Sequence, residues 1–290
     1  MKKNFAETIK NHLSEYRKNT LKLPEGTYKH QGTVHTRGHI LPKDRRGENI
    51  LETINSSFWK YAAQATTCGG KPLDGSLHKF FHHLNSSQAM CFNLFYPLIK
   101  EKQLALIPEF LGIKAFGDLE ATFEMESKKE TGGERKTNFD FHLGWPKENE
   151  IFFEVKYTER EFGEAEKDTE HREKFRSVYK NLASGASAFL TDKCQEEDFF
   201  LDHYQLLRNL VHLSDNAHVV FVYASQNKKI EQQATEAVNN FLTNDGRKRV
   251  KLVTVENLVA HFKSHKLATD YWGKHWEKFQ EKYLPELRCD

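Results

Sequence analysis

Apolar residues recur along the chain at spacings that predict helices at both ends and strands in the middle. Phe5, Ile9, Leu13 and Tyr16 lie three or four residues apart and predict a first amphipathic helix. Helices are also predicted over 49–65, 86–100, 164–182, 196–214 and 229–242, with two more near the C-terminus. Short apolar segments predict strands over 119–127, 217–224 and 250–255.

Residues 138–159, NFDFHLGWPKENEIFFEVKYTE, predict a β-hairpin with a charged face and an apolar face. If the turn is centred on Lys147, Asp140 falls directly opposite Glu154. One face then carries Asn138, Asp140, His142, Phe152, Glu154 and Lys156. The other face carries Phe139, Phe141, Leu143, Phe153, Val155 and Tyr157. Burying charge in a sheet is costly unless something compensates for it, so the charged face needs a chemical explanation.

The central order of helix, three strands, helix and strand predicts an α/β fold. Its first three strands can form an antiparallel meander, and crossover helices then join the later strands. We predict a helical N-terminal region over 1–85, a core over 86–256 and C-terminal helices packed on that core over 257–290. Residues 20–48 are rich in Gly, Pro and basic residues, which predicts an irregular arm.

The composition is that of an ordinary globular protein, with 29% charged and 38% hydrophobic residues. No apolar stretch has membrane-spanning length and no secretion signal follows the first lysines, so we expect a cytoplasmic protein. The cysteines, Cys68, Cys91, Cys194 and Cys289, form no CxxC pair, which argues against a zinc ribbon or a dense disulfide framework.

Positive charge is concentrated in two segments although the net charge is only +2. Residues 17–46 carry eight Lys or Arg against two acids, and GRKRVK at 246–251 is a second cluster. Both are candidates for contacting the phosphates of a nucleic acid, with a solvated surface as the alternative. The aromatic run HKFFHHL at 78–84 is interpreted as core rather than as a platform for stacking bases.

Asp140, Glu154 and Lys156 supply the groups that phosphodiester hydrolysis needs. Two adjacent carboxylates repel unless a cation lies between them, and their oxygens suit Mg²⁺ or Mn²⁺. A neighbouring lysine can orient or deprotonate a water and offset charge on a phosphate. The alternative is a structural ion pair. Glu-x-Lys also occurs at 126–128 and 134–136, but only Glu154 and Lys156 lie in an apolar strand opposite another acid.

Asp140, followed after thirteen residues by Glu154-Val155-Lys156, resembles the PD-(D/E)xK nuclease superfamily. Together with SSQAMCFNLFYPLI, FEMES and YQLLRNL, the motif is similar to a bacterial group of restriction endonucleases within it. The resemblance covers residues 86–224 and implies a restriction endonuclease-like core. It implies that Asp140, Glu154 and the Val155 carbonyl bind a metal and that Lys156 is catalytic. Phe139 stands where the motif's name has proline.

The resemblance also implies roles for three residues outside the hairpin. Glu124 matches an additional acid that such enzymes use in metal binding, although an acid on an edge strand is an ordinary finding. Gln205 and Arg208 resemble a glutamine-containing motif on the helix that faces the site. Their alternative role is to solvate the polar side of that helix.

These observations predict a Mg²⁺- or Mn²⁺-dependent endonuclease that acts on DNA, with a restriction or defence role among the possibilities. The same residues would serve a nuclease acting on RNA or branched DNA. A catalytically inert module that only binds nucleic acid or a protein is the alternative from another class. A homodimer is one way to cut both strands of a duplex.

Overall fold

The computed structural model describes residues 4–67, 70–131, 136–265, 267 and 269–285. It divides into two compact units. The helical unit comprises Met1–Thr66, Gly70–Leu106 and Val255–Asp290, and the sheet unit comprises Thr67–Gly69 and Ile107–Thr254. Cys68, Cys289 and the Glu-x-Lys at 134–136 lie wholly or partly outside the described residues. The predicted domain boundaries, 85/86 and 256/257, stay a prediction.

The helices and strands follow one another in an order close to that predicted. They are α1 Phe5–Tyr16, β1 Gly26–His30, β2 Thr33–Arg37, α2 Asn55–Gln64, α3 Ser87–Lys100, α4 Leu106–Leu111, β3 Glu120–Glu126, β4 Asn138–Trp145, β5 Asn149–Lys156, α5 Thr169–Lys174, α6 Lys180–Gly185, α7 Glu197–Asp202, α8 Tyr204–Leu210, β6 Ala217–Tyr223, α9 Lys228–Asn240, α10 Asn244–Arg249, β7 Val250–Thr254, α11 Val255–Ser264 and α12 Asp270–Tyr283. A π-helical turn at Phe175–Tyr179 joins α5 to α6. Within the described ranges, no helix has the length and apolar character needed to cross a bilayer.

The sheet unit is built on five strands in the order β3-β4-β5-β6-β7. β3, β4 and β5 form an antiparallel meander, and β6 and β7 are added in parallel. Parallel neighbours need a crossover connection, which α5 to α8 supply between β5 and β6 and α9 and α10 supply between β6 and β7. The α/β class and the meander followed by crossovers are as predicted.

The hairpin of β4 and β5 has the predicted register. Phe141 pairs with Phe153, so the turn is centred on Lys147. Lys147 has a φ of 66°, in the left-handed region that tight hairpin turns use. If the same register is extended by one residue beyond the Phe141–Phe153 pair, Asp140 lies opposite Glu154.

The two faces of the hairpin differ from the prediction at Phe139. Phe141 contacts Phe153, with ring centroids 5.5 Å apart, whereas Phe139 stacks on Phe152 at 4.3 Å, on the other side of the sheet. The reason is local: β4 leaves regular pairing at Asp140, whose side chain accepts the hydrogen bond from a β5 amide. Alternation therefore breaks between residues 139 and 141.

The π-helical turn at Phe175–Tyr179 and helices α6 to α9 cover one face of the sheet. Phe175, Phe200 and Leu207 are buried in the same apolar cluster as Phe152 and Phe221 of the strands. The single helix predicted over 196–214 is two helices, because the backbone leaves helical geometry at His203 (φ −121°, ψ 32°). This break starts α8 in a new direction, and α8 carries the side chains that reach the polar face of β5.

The segment predicted to be an irregular arm contains the hairpin of β1 and β2. Its two-residue turn has positive φ at Gln31 (46°) and Gly32 (81°), which suits a tight hairpin. Arg17 is buried and donates from Nε to the Gly38 carbonyl at 2.6 Å, which holds the end of the hairpin to the chain after α1. Few apolar residues alternate here, so the hydrophobic pattern gave no strand signal.

A buried polar network centred on Asn93 lies inside the helical unit. Its side chain accepts the Leu51 amide at 2.8 Å and donates to the Asn49 carbonyl and the Tyr283 hydroxyl. Lys282 donates to the same Asn49 carbonyl at 2.6 Å, and burial holds the pKa of Lys282 well below its usual value. These bonds join α3 and α12 to the segment before α2.

His212, which follows α8 in the sheet unit, is buried in its neutral form. Its Nδ1 donates to the Arg208 carbonyl at 2.9 Å, and its Nε2 lies 2.6 Å from the Ser127 hydroxyl. Ser127 Oγ already accepts hydrogen bonds from the main-chain amides of Lys129 and Glu130, so its hydroxyl donates to His212 Nε2. Burial lowers the pKa of His212 from 6.5 to about 3.

His212→Phe should therefore remove part of the acid sensitivity of folding. The unfolded chain takes up a proton at His212 below about pH 6.5 and the folded chain does not, so stability falls as pH falls. Between pH 7 and pH 5 the wild type should lose about 2 kcal/mol more than the variant, measured by urea unfolding. Parallel pH profiles for the two proteins would contradict this.

Candidate functional site

β5 carries Glu154 and Lys156 two residues apart, so both project from the same face. Their side chains are 7% and 9% exposed, and Lys156 Nζ lies 2.9 Å from Glu154 Oε1. Burial lowers the pKa of Lys156, but the carboxylates of Glu154, Glu159 and Asp140 outweigh it and hold that pKa above its usual value. The strand therefore presents a buried, charged ammonium beside a carboxylate.

α8 brings Gln205 into contact with both charges. Its Nε2 donates to Glu154 Oε1 at 2.8 Å, and its Oε1 accepts from Lys156 Nζ at 3.1 Å. The same Oε1 accepts the Gly163 amide at 3.0 Å, and the main-chain amide of Gln205 donates to the Gly163 carbonyl at 2.9 Å. The structure thus brings Gln205 to Glu154 and Lys156 and ties it to the loop after β5.

Asn209 holds the second oxygen of Glu154, and sequence reasoning missed it. Its Nδ2 donates to Glu154 Oε2 at 3.2 Å, and its side chain is buried. Asn209 lies four residues after Gln205, so both occupy the same face of α8. That spacing was the available signal, because a helix face that presents one amide to a buried carboxylate can present a second.

Asp140 lies where β4 and β5 separate. Its Oδ2 accepts the Val155 amide at 2.7 Å, a bond that a main-chain carbonyl would accept in a regular ladder. Burial first, and then the charges of Glu154 and Glu124, hold the pKa of Asp140 well above its usual value. The ionised form of Asp140 is therefore electrostatically costly in the fold.

Glu124 reaches this cluster from β3 through an unusual backbone conformation. It has a φ of 53° within a strand, whereas regular β-structure has negative φ. Asn138, at the start of β4, donates its side-chain amide to Glu124 Oε2. A non-glycine residue in this region costs of the order of 1–3 kcal/mol and is often found at functional sites. Glu124, Asp140 and Glu154 thus come from three adjacent strands.

Arg208, His142 and Val155 each make a polar contact near this cluster. Arg208 donates from Nε to the Thr137 hydroxyl at 3.1 Å and lies over the ring of Tyr204. His142 Nε2 lies 3.2 Å from a carboxylate oxygen of Glu150. Val155 contributes its amide to Asp140, and metal binding by its carbonyl stays a prediction.

The arrangement combines a carboxylate cluster, an ammonium and two side-chain amides. The carboxylates can bind a hard cation, and the ammonium can stabilise negative charge that develops on a phosphate. The amides fix the orientation of Glu154, because each of its oxygens accepts from a different residue of α8.

A protein-family model described as Restriction Endonuclease associating with ARP matches residues 10–284. The chain belongs to this family. The match spans most of the chain and supports a restriction endonuclease-like nuclease. No curated protein and no solved structure gives a match. The cluster of residues on β3, β4, β5 and α8 is the candidate site for the nuclease chemistry that the family description names.

Asp140→Asn should make this family member more stable in EDTA at pH 7.5. The folded pKa of Asp140 is raised, so its ionised form costs stability above the unfolded pKa of about 3.8, and asparagine removes that charge. The asparagine carbonyl can still accept the Val155 amide. We expect a gain of roughly 1–2 kcal/mol in urea unfolding, as for other charges clustered at functional sites.

The same variant separates charge repulsion from metal binding. Mn²⁺ should raise the unfolding midpoint of the wild type and should not raise that of Asp140→Asn. Asp118→Asn, at an exposed position of the same unit, is the matched control and should behave as the wild type. If Asp140→Asn is less stable than the wild type in EDTA, repulsion of the Asp140 carboxylate by Glu154 and Glu124 does not destabilise the fold.

Proposed function

We propose that the protein is a divalent-metal-dependent endonuclease that hydrolyses phosphodiester bonds in DNA. The observation that carries the proposal is the contact set of Glu154, Lys156 and Gln205, next to Asp140 at the point where β4 and β5 separate. A structural ion pair needs neither a second carboxylate nor the left-handed backbone of Glu124 beside it.

The donor set fits a hard divalent cation. Glu154 and Glu124 both raise the pKa of Asp140, so the three carboxylates are close enough to interact electrostatically. Mg²⁺ and Mn²⁺ prefer such oxygen ligands, and a bound cation would offset the repulsion. Asp140, Glu154 and Glu124 would hold the ion, with the Val155 carbonyl as a further ligand. When bound, the ion would polarise the phosphate and lower the pKa of a water.

Lys156 and Gln205 would then do the rest of the chemistry. The Lys156 ammonium is charged and close to the carboxylates, so it can stabilise the negative charge that grows on the phosphate oxygens. Gln205 fixes the ammonium by accepting one of its hydrogens and fixes Glu154 by donating to it. Hydrolysis needs no covalent intermediate, because an oriented water can displace the leaving oxygen directly.

DNA is the proposed substrate because the family description names a restriction endonuclease. RNA or branched DNA would require the same catalytic residues, so substrate class is left to the assay. Two copies acting together would produce double-strand breaks, whereas one copy would nick. A module that only binds nucleic acid would not require the clustered carboxylates.

A plasmid cleavage assay in Mg²⁺, Mn²⁺ or EDTA tests the proposal. The wild type should cut in either metal and not in EDTA, and the ratio of linear to nicked product reports whether both strands are cut. Lys156→Ala and Asp140→Ala should each reduce the rate by about 10³-fold or more, because each removes a charge from the reacting centre.

Lys128→Ala is the matched control, because Lys128 closes another Glu-x-Lys at 126–128 and is exposed. It should cut at the wild-type rate. If the wild type cleaves neither DNA nor RNA in any metal, or if Lys156→Ala cuts as well as Lys128→Ala, the enzymatic proposal fails. Nucleic-acid binding by such an inactive protein would favour the binding module.

A further inference from the structure

The helical unit contains a cleft built from residues that the nuclease site does not use. It has a volume of about 590 Å³ and lies between α1, the hairpin of β1 and β2, and residues 80–85. Small-molecule sites typically measure roughly 300–1,000 Å³. Its lining includes Lys10 of α1, Tyr28 and Arg37 of the hairpin, and Phe80 and His83.

Aromatic rings make up much of the wall. Tyr28 packs edge-on against Phe80, with centroids 6.3 Å apart, and against His83 at 5.3 Å. On the hairpin itself, Tyr28 stacks on His35 at 5.2 Å. Phe80 is half-buried, unlike its neighbour Phe81, which is fully buried. The aromatic run interpreted as core is therefore divided, with Phe81 in the core and Phe80 in the cleft wall.

The rings are accompanied by positive charge and by neutral imidazoles. Lys10 and Arg37 line the cleft, with Glu7 as the acid on its wall. Burial first, and then the charges of Lys10 and Arg37, lower the pKa of His39 to about 4. Burial also lowers the pKa of His83 to about 3, so both imidazoles are uncharged at neutral pH. Neutral imidazoles can each donate and accept a hydrogen bond.

Positive charge continues beyond the cleft along its rim. The Lys79 ammonium lies 4.8 Å from the centroid of the Phe80 ring, and Lys79 is exposed. A ligand seated against Phe80 would therefore meet a further cation.

We propose that this cleft binds a nucleotide, with its base against Tyr28 and Phe80 and its phosphate near Lys10 and Arg37. An inorganic anion would make no use of the ring wall, and an uncharged apolar ligand would make no use of the cations. Aromatic side chains beside a positively charged surface are the combination by which proteins hold unpaired bases.

The nucleobase can come from a free nucleotide or from an unpaired position in a polynucleotide. The Lys79 ammonium beside Phe80 favours a polynucleotide, because it can pair with a phosphate that flanks the bound base. A base within a duplex must first be extruded, which costs a few kcal/mol, so an unpaired base should bind better than a paired one. The cleft concerns binding only and does not depend on the cleavage proposed above.

Equilibrium binding in EDTA tests the cleft without cleavage. The probes are a nucleoside monophosphate, inorganic phosphate, a fluorescent duplex with one unpaired base and the same duplex fully paired. The protein should bind the unpaired-base duplex at least about tenfold more tightly than the paired duplex. The monophosphate should compete for the cleft and inorganic phosphate should not.

Phe80→Ala and Arg37→Glu should each weaken binding of the unpaired-base duplex by about tenfold. Arg37 is exposed, so its replacement keeps the test valid if Phe80→Ala unfolds. Lys60→Glu, an equal charge reversal at an exposed position of α2 outside the cleft, should leave the difference between the two duplexes unchanged.

The source of the base follows from the comparison of probes. Tight binding of the monophosphate with no preference between the duplexes would assign the cleft to a free nucleotide. Binding that Arg37→Glu and Lys60→Glu weaken equally, or failure of both nucleobase probes to bind, would overturn the proposal. Because metal is absent throughout, these results stand whether or not the plasmid assay detects cleavage.

Discussion

The burial of Glu154 and Lys156 on β5 is the constraint on which the rest of the sheet unit depends. Two charges that are less than a tenth exposed need hydrogen-bond partners as well as each other, since a buried ion pair alone does not recover its desolvation cost. Gln205 and Asn209 supply these partners. The position of α8 therefore depends on the hydrogen bonds that Glu154 and Lys156 require as much as on apolar packing. The same holds for the break at His203, where α8 begins.

A second constraint is the interruption of β3 and β4 at the same level of the sheet. Glu124 takes a positive φ and Asp140 accepts a main-chain amide with its side chain. As a result Phe139 lies against Phe152 while Phe141 lies against Phe153. With this irregularity Asp140 interacts electrostatically with both Glu124 and Glu154, and both Phe139 and Phe141 are buried.

The sequence predicted the three-strand meander and the hairpin register because both follow from strong apolar alternation and a turn near Lys147. It could not predict Phe139, since the departure from alternation arises from one side-chain hydrogen bond of Asp140. The hairpin of β1 and β2 was missed for a different reason: aromatic pairing and the buried Arg17 hold it, and neither produces an apolar period. Asn209 was missed because the sequence alone does not show which face of its helix lies toward Glu154.

Gln205 also links the site to the chain beyond it, because one carbonyl oxygen serves Lys156 and the Gly163 amide together. No charged side chain of similar length could replace it: a carboxylate would face Glu154 and an ammonium would face Lys156. Only an amide has a negative and a positive end that match the order of the two charges. The loop after β5 and the electrostatics of the site are thus joined through one dipole, so a shift of that loop would reorient Lys156 and Glu154 together.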